Sequence, residues 1–329
     1  MDKNLSDETH RLTRAGSKLT PAQAAEFEAA LVQNPHDIAI RTQLLGYYFM
    51  RSIRNFDASD AQEAHILWLV GHNPETGVLG ESYGMIHAGT NTAGYLRVRE
   101  LWLGHLDAQP QNIAILGNAA AFFTLSDRKL ALQTFQSLFR LDPTNPIWPR
   151  HISHLLSYVH YVHGEPRASH SSPEALQAAE QAFALESPEG RTAMLDELAK
   201  LAFDANEIDK ARDYAKQALR VGPEGESYGK NVHHGNLILG RIALQAGDTE
   251  EAKTRLLLAG GTPGYCTLNS FGPNMMLAQE LLEHGERTAV LSYLELCKTF
   301  WKSSRGRLEQ WATVINNGEI PDFGANLIY

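Results

Sequence analysis

The stretch Ala-Arg-Asp-Tyr-Ala-Lys-Gln-Ala-Leu-Arg-Val-Gly-Pro, residues 211–223, decides the fold of this chain. Its alanines stand at i, i+4 and i+7, which places them on one face of a helix, and proline ends the unit because it disrupts a helix interior. In residues 211–223 the pattern consists of Ala211, Ala215, Ala218 and Pro223. It recurs at residues 131–143, as Ala131, Phe135, Leu138 and Pro143, and at residues 252–263, as Ala252, Leu256, Ala259 and, one residue early, Pro263. This recurrence predicts a helical repeat protein.

Turn signals recur along the chain at intervals of 33 to 45 residues. Each is a proline preceded by a small or polar residue, at Asn34-Pro35, Asn73-Pro74, Gln109-Pro110, Asp142-Pro143, Ser187-Pro188, Gly222-Pro223 and Thr262-Pro263. A period in this range, with two helical stretches per period, is typical of a helical solenoid. In a solenoid each helix hairpin buries its apolar face against the next one, since a single hairpin has too little apolar surface to fold alone.

Three units resemble the tetratricopeptide repeat family, whose repeat is a helix–turn–helix of about 34 residues. A predicted helix precedes each of these stripes. Its matching residues are Asn118, Ala119 and Phe122 before residues 131–143; Leu198, Ala199 and Ala202 before residues 211–223; and Leu239, Gly240 and Ala243 before residues 252–263. The resemblance covers roughly residues 20–302. It implies an all-α fold, a right-handed superhelical solenoid of antiparallel helix hairpins with a C-terminal helical cap.

The sequence predicts three segments. Residues 1–19 are polar and mixed in charge, so we expect a flexible N-terminal segment there. Residues 20–259 hold the repeats, and residues 260–329 hold a polar loop, capping helices and an extended C-terminal tail. The tail carries apolar residues that favour docking on the last helices as a cap, with binding in the groove or to another protomer as the alternatives: Phe323, Leu327 and Tyr329.

The composition argues against several classes of function. The formal net charge is −9, from 29 Lys and Arg against 38 Asp and Glu, which disfavours nonspecific nucleic-acid binding. No apolar stretch approaches the length that spans a bilayer. Residues 1–20 contain no apolar core of the kind a secretory signal needs, so we do not expect a secretory signal there. The two cysteines, Cys266 and Cys297, match no metal or redox spacing and favour a reducing compartment. We therefore expect a cytoplasmic protein with no nucleic-acid or membrane partner and no cofactor.

The first candidate site is a peptide-binding groove. In the tetratricopeptide family the first helix of each hairpin lines the concave face, and the ligand-facing positions, carried over, are Arg150, His154, Asp196, Lys200 and Arg241. A partly cationic stripe in an acidic protein suits a protein or peptide partner with acidic groups. The family's Lys and Asn carboxylate-clamp pattern is absent here. The alternative is that these side chains are ordinary solvated helix residues.

The second candidate is a polar edge, where the start of one helix meets the loop that follows the next helix. It combines amides, hydroxyls, histidines and a thiol: Asn231, His233, His234, Asn236, Tyr265, Cys266, Asn269, Ser270 and Asn274. Such a set suits a small polar ligand. Cys266 with His233 or His234 would form a nucleophile–base pair if they met. The alternative is that these groups only satisfy the backbone of a long ordered loop.

Two further patterns attract attention. The pentapeptide Gly-Glu-Ser-Tyr-Gly occurs at residues 80–84 and again at 225–229, and each copy is expected to begin a helix. Internal duplication explains the pair without any site. Four histidines, His151, His154, His160 and His163, cannot form one metal site on a straight helix, because at 100° per residue the second pair points away from the first. We predict no metal here.

These observations favour a non-catalytic scaffold or adaptor that binds a protein or peptide in the concave face of a tetratricopeptide-like superhelix. The repeat architecture implies binding but does not identify the partner. Two alternatives remain. One is an enzyme or small-molecule-binding protein that uses the polar edge formed by residues 225–236 and 260–274. The other is a structural subunit of a homo-oligomer.

Overall fold

The computed structural model describes residues 3–55, 59–157, 173–225 and 227–327. Within these ranges the chain forms α-helices and short 3₁₀ turns, with no β-strand, so the predicted all-α class is confirmed. Its contacts divide it into two compact units, a first unit at Met1–Trp148 and a second unit at Pro149–Tyr329. The boundary between these units coincides with neither predicted boundary, at residue 19 or residue 259.

The first unit contains seven helices and two 3₁₀ turns among its described residues. The helices are α1 (Lys3–Gly16), α2 (Pro21–Gln33), α3 (Ile38–Asn55), α4 (Ser59–His72), α5 (Thr92–Ala108), α6 (Ile113–Phe123) and α7 (Arg128–Leu141). The 3₁₀ turns are Gly77–Gly80 and Ser82–Gly84. The predicted stripe of α7 is buried, since Ala131, Phe135 and Leu138 are each at most 2% exposed.

Helix α1 occupies most of the segment for which a flexible chain was expected. It packs against α3 through backbone rather than through an apolar stripe. A Cβ added at Gly16 would lie 1.9 Å from the Gln43 carbonyl oxygen, and one at Gly46 would lie 2.3 Å from the Thr13 carbonyl oxygen. The face that packs is therefore polar and glycine-bearing, which explains why apolar periodicity did not predict this helix.

The first copy of the repeated pentapeptide does not begin an α-helix, contrary to the prediction. Gly80 ends one 3₁₀ turn, and Ser82–Gly84 forms the next. Helix α5 begins only at Thr92, where the Asn91 side chain accepts a hydrogen bond from the Gly94 amide and caps the helix. Glycine and serine favour 3₁₀ turns and helix starts alike, so their presence did not distinguish the two.

The second unit begins within helix α8 (Ile147–Ser157) and continues through nine more helices. They are α9 (Pro173–Leu185), α10 (Pro188–Asp204), α11 (Ile208–Arg220), α12 (Tyr228–Gln245), α13 (Thr249–Gly260), α14 (Cys266–Phe271), α15 (Met276–Glu283), α16 (Arg287–Cys297) and α17 (Arg307–Asn316). Each of α9 to α12 packs against the next helix in sequence. The stripe Ala211, Ala215 and Ala218 is at most 1% exposed, as predicted. No described helix of either unit is long and apolar enough to cross a lipid bilayer.

The C-terminal segment closes the core of the second unit. Phe323 is 2% exposed and its ring lies edge-on to Trp311, with centroids 5.1 Å apart. Asn326 donates hydrogen bonds to the carbonyl oxygens of Phe271 (3.2 Å) and Pro273 (2.8 Å). The tail through residue 327 therefore docks on its own unit, as the cap interpretation predicts. Tyr329 lies outside the described residues.

The start of α12 lies very close to the backbone of the segment that follows α13. A Cβ added at Gly229 would lie 1.8 Å from the Gly264 carbonyl oxygen. The Thr262 hydroxyl joins the same two segments, since it donates to the Gly229 carbonyl oxygen at 2.6 Å and accepts from the Gly264 amide at 3.2 Å. Any side chain at position 229 must therefore push these segments apart.

We predict that Gly229→Ala lowers the free energy of unfolding by about 1–3 kcal/mol through this overpacking. Urea denaturation followed by circular dichroism measures the change. Gly261→Ala is the matched control, because its added methyl group would lie 3.5 Å from the nearest atom and its backbone is not left-handed. The control should stay within about 0.5 kcal/mol of the wild type. Equal stability of the two variants would contradict the close approach.

Candidate functional site

The two predicted groove residues of α8 are both paired with glutamates. Arg150 Nη2 lies 2.5 Å from Glu186 Oε1, and His154 Nε2 lies 3.0 Å from Glu197 Oε1 on α10. The hydrogen bond to Glu197 is the main cause that raises the pKa of His154. Each predicted cation on this helix is thus offset by an acid of the same unit.

Arg241 is also paired, and it is only 8% exposed. Its Nε donates to Glu280 at 2.8 Å, and its Nη1 lies 4.0 Å from Asp204 Oδ1. The guanidinium carbon lies 4.2 Å from the centroid of the Phe203 ring. A buried cation is tolerated when it is paired and hydrogen-bonded, as here. Arg241 therefore links α12 to α10 and α15.

Asp196, the one acidic residue of the predicted groove, pairs with Lys230 at 2.8 Å, and both side chains are at most 19% exposed. Three of these partners follow the predicted residue at a separation within the range of the turn-signal intervals. The separations are 36, 34 and 39 residues, for the pairs Arg150–Glu186, Asp196–Lys230 and Arg241–Glu280. Opposite charges one interval apart are thus the sequence signal that identifies these pairs, and the groove prediction did not include it.

Lys200 and Arg241 nevertheless line one small recess, as expected if both face the same side of the second unit. His234 and Asn274, which were predicted for the polar edge, line it as well. The apolar part of the lining comes from Leu237, Ile238 and Met276. The recess has a volume of about 20 Å³, which is room for one water-sized group. The structure thus brings part of each predicted site together.

His234 is neutral at this recess. Burial, followed by the charges of Lys200 and Lys230, lowers the pKa of His234 to about 3. Its ring lies edge-on to that of His233, with centroids 5.0 Å apart. Lys200 is the larger of these two charge contributions, since the charge of Lys230 is offset by Asp196.

His233, by contrast, is a structural residue. It is fully buried, its Nδ1–H donates to the Ala259 carbonyl oxygen (3.1 Å), and its Nε2 accepts from the Asn274 amide (3.2 Å). Burial lowers the pKa of His233 to about 3, with a smaller contribution from His234. Because both ring nitrogens bind backbone groups, His233 has no nitrogen left to activate the Cys266 thiol.

The two amides of α12 that were predicted for the polar edge are buried too. Asn231 Nδ2 donates to the Thr192 carbonyl oxygen (3.2 Å), which ties α12 to α10. Asn236 donates to a carbonyl one turn earlier in α12 and accepts from Arg255 Nη1 at 3.1 Å. These side chains hold the helices in place and are not presented to a ligand.

The polar residues of α14, unlike the buried amides of α12, are exposed to solvent. Cys266, Asn269 and Ser270 are exposed, and Ser270 Oγ donates to the Cys266 carbonyl oxygen at 2.8 Å. A hydrogen bond with Cys266 is the main cause that raises the pKa of Tyr265. The predicted polar edge is therefore divided between a buried hydrogen-bond network and an exposed short helix.

Among the described residues, no group of three or more His, Cys, Asp or Glu side chains is arranged to hold a metal ion. Two of the four clustered histidines, His160 and His163, lie outside those residues. Neither a protein-family model nor a curated protein matches this sequence.

The buried neutral state of His233 predicts a pH dependence of stability. The unfolded chain takes up a proton at this histidine below about pH 6.5, whereas the folded chain does so only near pH 3, so stability is lost as the pH falls through this window. We expect acidification from pH 7 to pH 5 to cost about 2 kcal/mol through His233.

Urea denaturation at the two pH values measures this loss. In His233→Phe, which cannot titrate, the loss should be smaller than in the wild type by about 2 kcal/mol, even though the variant is less stable at both pH values. The comparison removes the contribution of other groups, because they are the same in both proteins. An equal loss in the two proteins would show that His233 is not held neutral.

The two thiols are predicted to differ in reactivity. Cys266 is exposed, whereas Cys297 is fully buried and burial raises the pKa of its thiol. Because the thiolate is the reactive form, dithiobis-nitrobenzoate should modify one thiol of the native protein quickly and the other only on unfolding. Cys266→Ser should abolish the fast phase. Two fast thiols would contradict the burial of Cys297.

Proposed function

We propose that this chain is a non-catalytic scaffold that binds a protein or peptide segment by recognising an acidic group of that partner. The observation that carries the proposal is the recess, to which α10 and α12 bring Lys200 and Arg241 together with His234 and Asn274. The helix hairpins of the second unit are arranged, in this proposal, as tetratricopeptide-like repeats of a right-handed superhelix. The sequential packing of α9 to α13 supports that arrangement.

The recess suits a single carboxylate better than a larger anion. Its volume admits about one water-sized group, so a carboxylate oxygen enters while the rest of a peptide lies across the helices. Lys200 provides charge at the rim, and Leu237, Ile238 and Met276 provide apolar contact. Arg241 is already paired with Glu280, so it supports the wall of the recess rather than supplying an additional charge.

The alternative of an enzyme at the polar edge is weakened by the contacts of His233. A nucleophile needs a base within hydrogen-bond reach, and the ring nitrogens of His233 both bind backbone groups. The small number of cysteines, two in 329 residues, supports a reducing, cytoplasmic setting for the proposed scaffold.

We predict that Lys200→Glu weakens binding of acidic peptides about tenfold, because an attraction is replaced by a repulsion. Random peptides with a free C-terminal carboxylate are selected against the full chain by display, and the enriched peptides are measured by calorimetry. Arg241 is unsuitable for this test, since reversing its charge would leave Glu280 and Asp204 unpaired inside the fold.

Lys129→Glu is the matched control for this experiment. Lys129 is exposed on α7 in the first unit, and its substitution changes the net charge by the same amount. The control should bind the selected peptides as the wild type does. If Lys200→Glu also binds them unchanged, or if no peptide is enriched, the recess is not the binding site.

A further inference from the structure

A larger cavity lies in the second unit between α11, α12 and α13, with a volume of about 410 Å³. This volume is typical of sites that bind small molecules or peptide side chains. The cavity is lined by Leu239 and Ile242 on α12 and by Ala246 just after it, whereas the recess is lined by residues five positions earlier than the first two, His234 and Leu237. Five positions correspond to about 140° around a helix, so the cavity and the recess lie on different faces of α12.

One wall of the cavity is a row of positive charge. Arg212, Lys216 and Arg220 stand four residues apart on α11, which places them along one side of the helix over about 12 Å. Arg212 pairs with Asp209 at 2.7 Å. Among the described residues, neither Lys216 nor Arg220 takes part in an ion pair, and both are exposed. In a chain with a net charge of −9, this row is a local exception.

The interior of the cavity is apolar. Leu219, Leu239 and Ile242 line it, and Ile242 is continuous with the core because it is only 7% exposed. The wall from α13 is electrically balanced, since Arg255 Nε lies 2.7 Å from Glu251 Oε1. Asp248 also lines the cavity, where its carboxylate caps α13 by accepting from the Glu251 amide at 3.0 Å, and it adds one negative charge. The cavity therefore combines an apolar floor with a net positive charge that comes from the three cations of α11.

We propose that this cavity binds an extended acidic peptide segment that carries bulky apolar side chains. Successive cations of the row are about 6 Å apart along the helix, which matches alternate residues of an extended chain at about 6.6 Å. Alternate side chains of such a chain point in opposite directions, so acidic residues face α11 while apolar residues between them enter the cavity. A compact ligand with one anionic group would instead require cations that converge on a point.

The test uses the fluorescein-labelled peptide Gly-Glu-Phe-Glu-Leu-Glu-Gly and the full chain, with affinity measured by fluorescence anisotropy. The double variant Lys216→Glu/Arg220→Glu should weaken binding at least about tenfold, and added salt should weaken binding to the wild type. The peptide with glutamine in place of glutamate should bind poorly. Ala246→Phe, which keeps the net charge and adds a ring to the cavity lining, should weaken binding as well.

The matched control is Lys18→Glu/Lys129→Glu, which changes the net charge equally at two exposed positions of the first unit. It should leave the affinity unchanged, and so should Lys200→Glu, which separates this cavity from the proposed scaffold recess. Circular dichroism establishes that each variant is folded. The proposal is overturned if the wild type does not bind the peptide at millimolar concentration, or if Lys216→Glu/Arg220→Glu binds it with unchanged affinity. It is also overturned if Lys200→Glu is the only variant that loses affinity for the peptide.

Discussion

The close approach of helix backbones at small residues is the constraint on which the rest of the structure depends. Ala211 and Ala215 are fully buried between helices. At Gly240 an added Cβ would lie 2.4 Å from a methyl carbon of Leu277, and at Gly229 it would meet backbone. Helices that approach this closely hold their neighbours at a fixed spacing, because larger side chains would force them apart. The side-chain hydrogen bonds and ion pairs between helices described above rely on that spacing.

Polar pairs between helices are the first consequence of this spacing. In the second unit the acids and bases of α8, α10 and α12 find partners one repeat interval away. The first unit repeats the arrangement, since Arg97 pairs with Glu63 and His65 with Glu28 across separations of 34 and 37 residues. Exposed pairs of this kind contribute little stability, but a partly buried one is costly to break. Charged side chains that the sequence suggests for ligand binding are thus paired with other parts of their own unit.

The sequence predicted the fold where the signal is local. The small-residue stripes of α7, α11 and α13 depend only on spacing along one helix, and all three are buried. Helix α1 was missed because it packs through glycine and threonine, which leave no apolar pattern. The site was harder to predict. The resemblance to tetratricopeptide repeats predicted that Lys200 and Arg241 share one face, and both line the recess. The burial of His233 and the exposure of Cys266, however, depend on how the helices are rotated against each other, which residue type does not reveal.

The docked tail has a practical consequence for the boundaries of the second unit. The Met275 amide donates to the Asn326 carbonyl oxygen at 2.8 Å, and the neighbouring Asn274 both donates to His233 and accepts from the Tyr293 hydroxyl. A chain shortened to end after α17 would leave the carbonyl oxygens of Phe271 and Pro273 without their donor and would uncover the Trp311 ring. Residues 317–327 thus belong to the smallest piece of this unit that can be expected to fold, although they contain little regular structure.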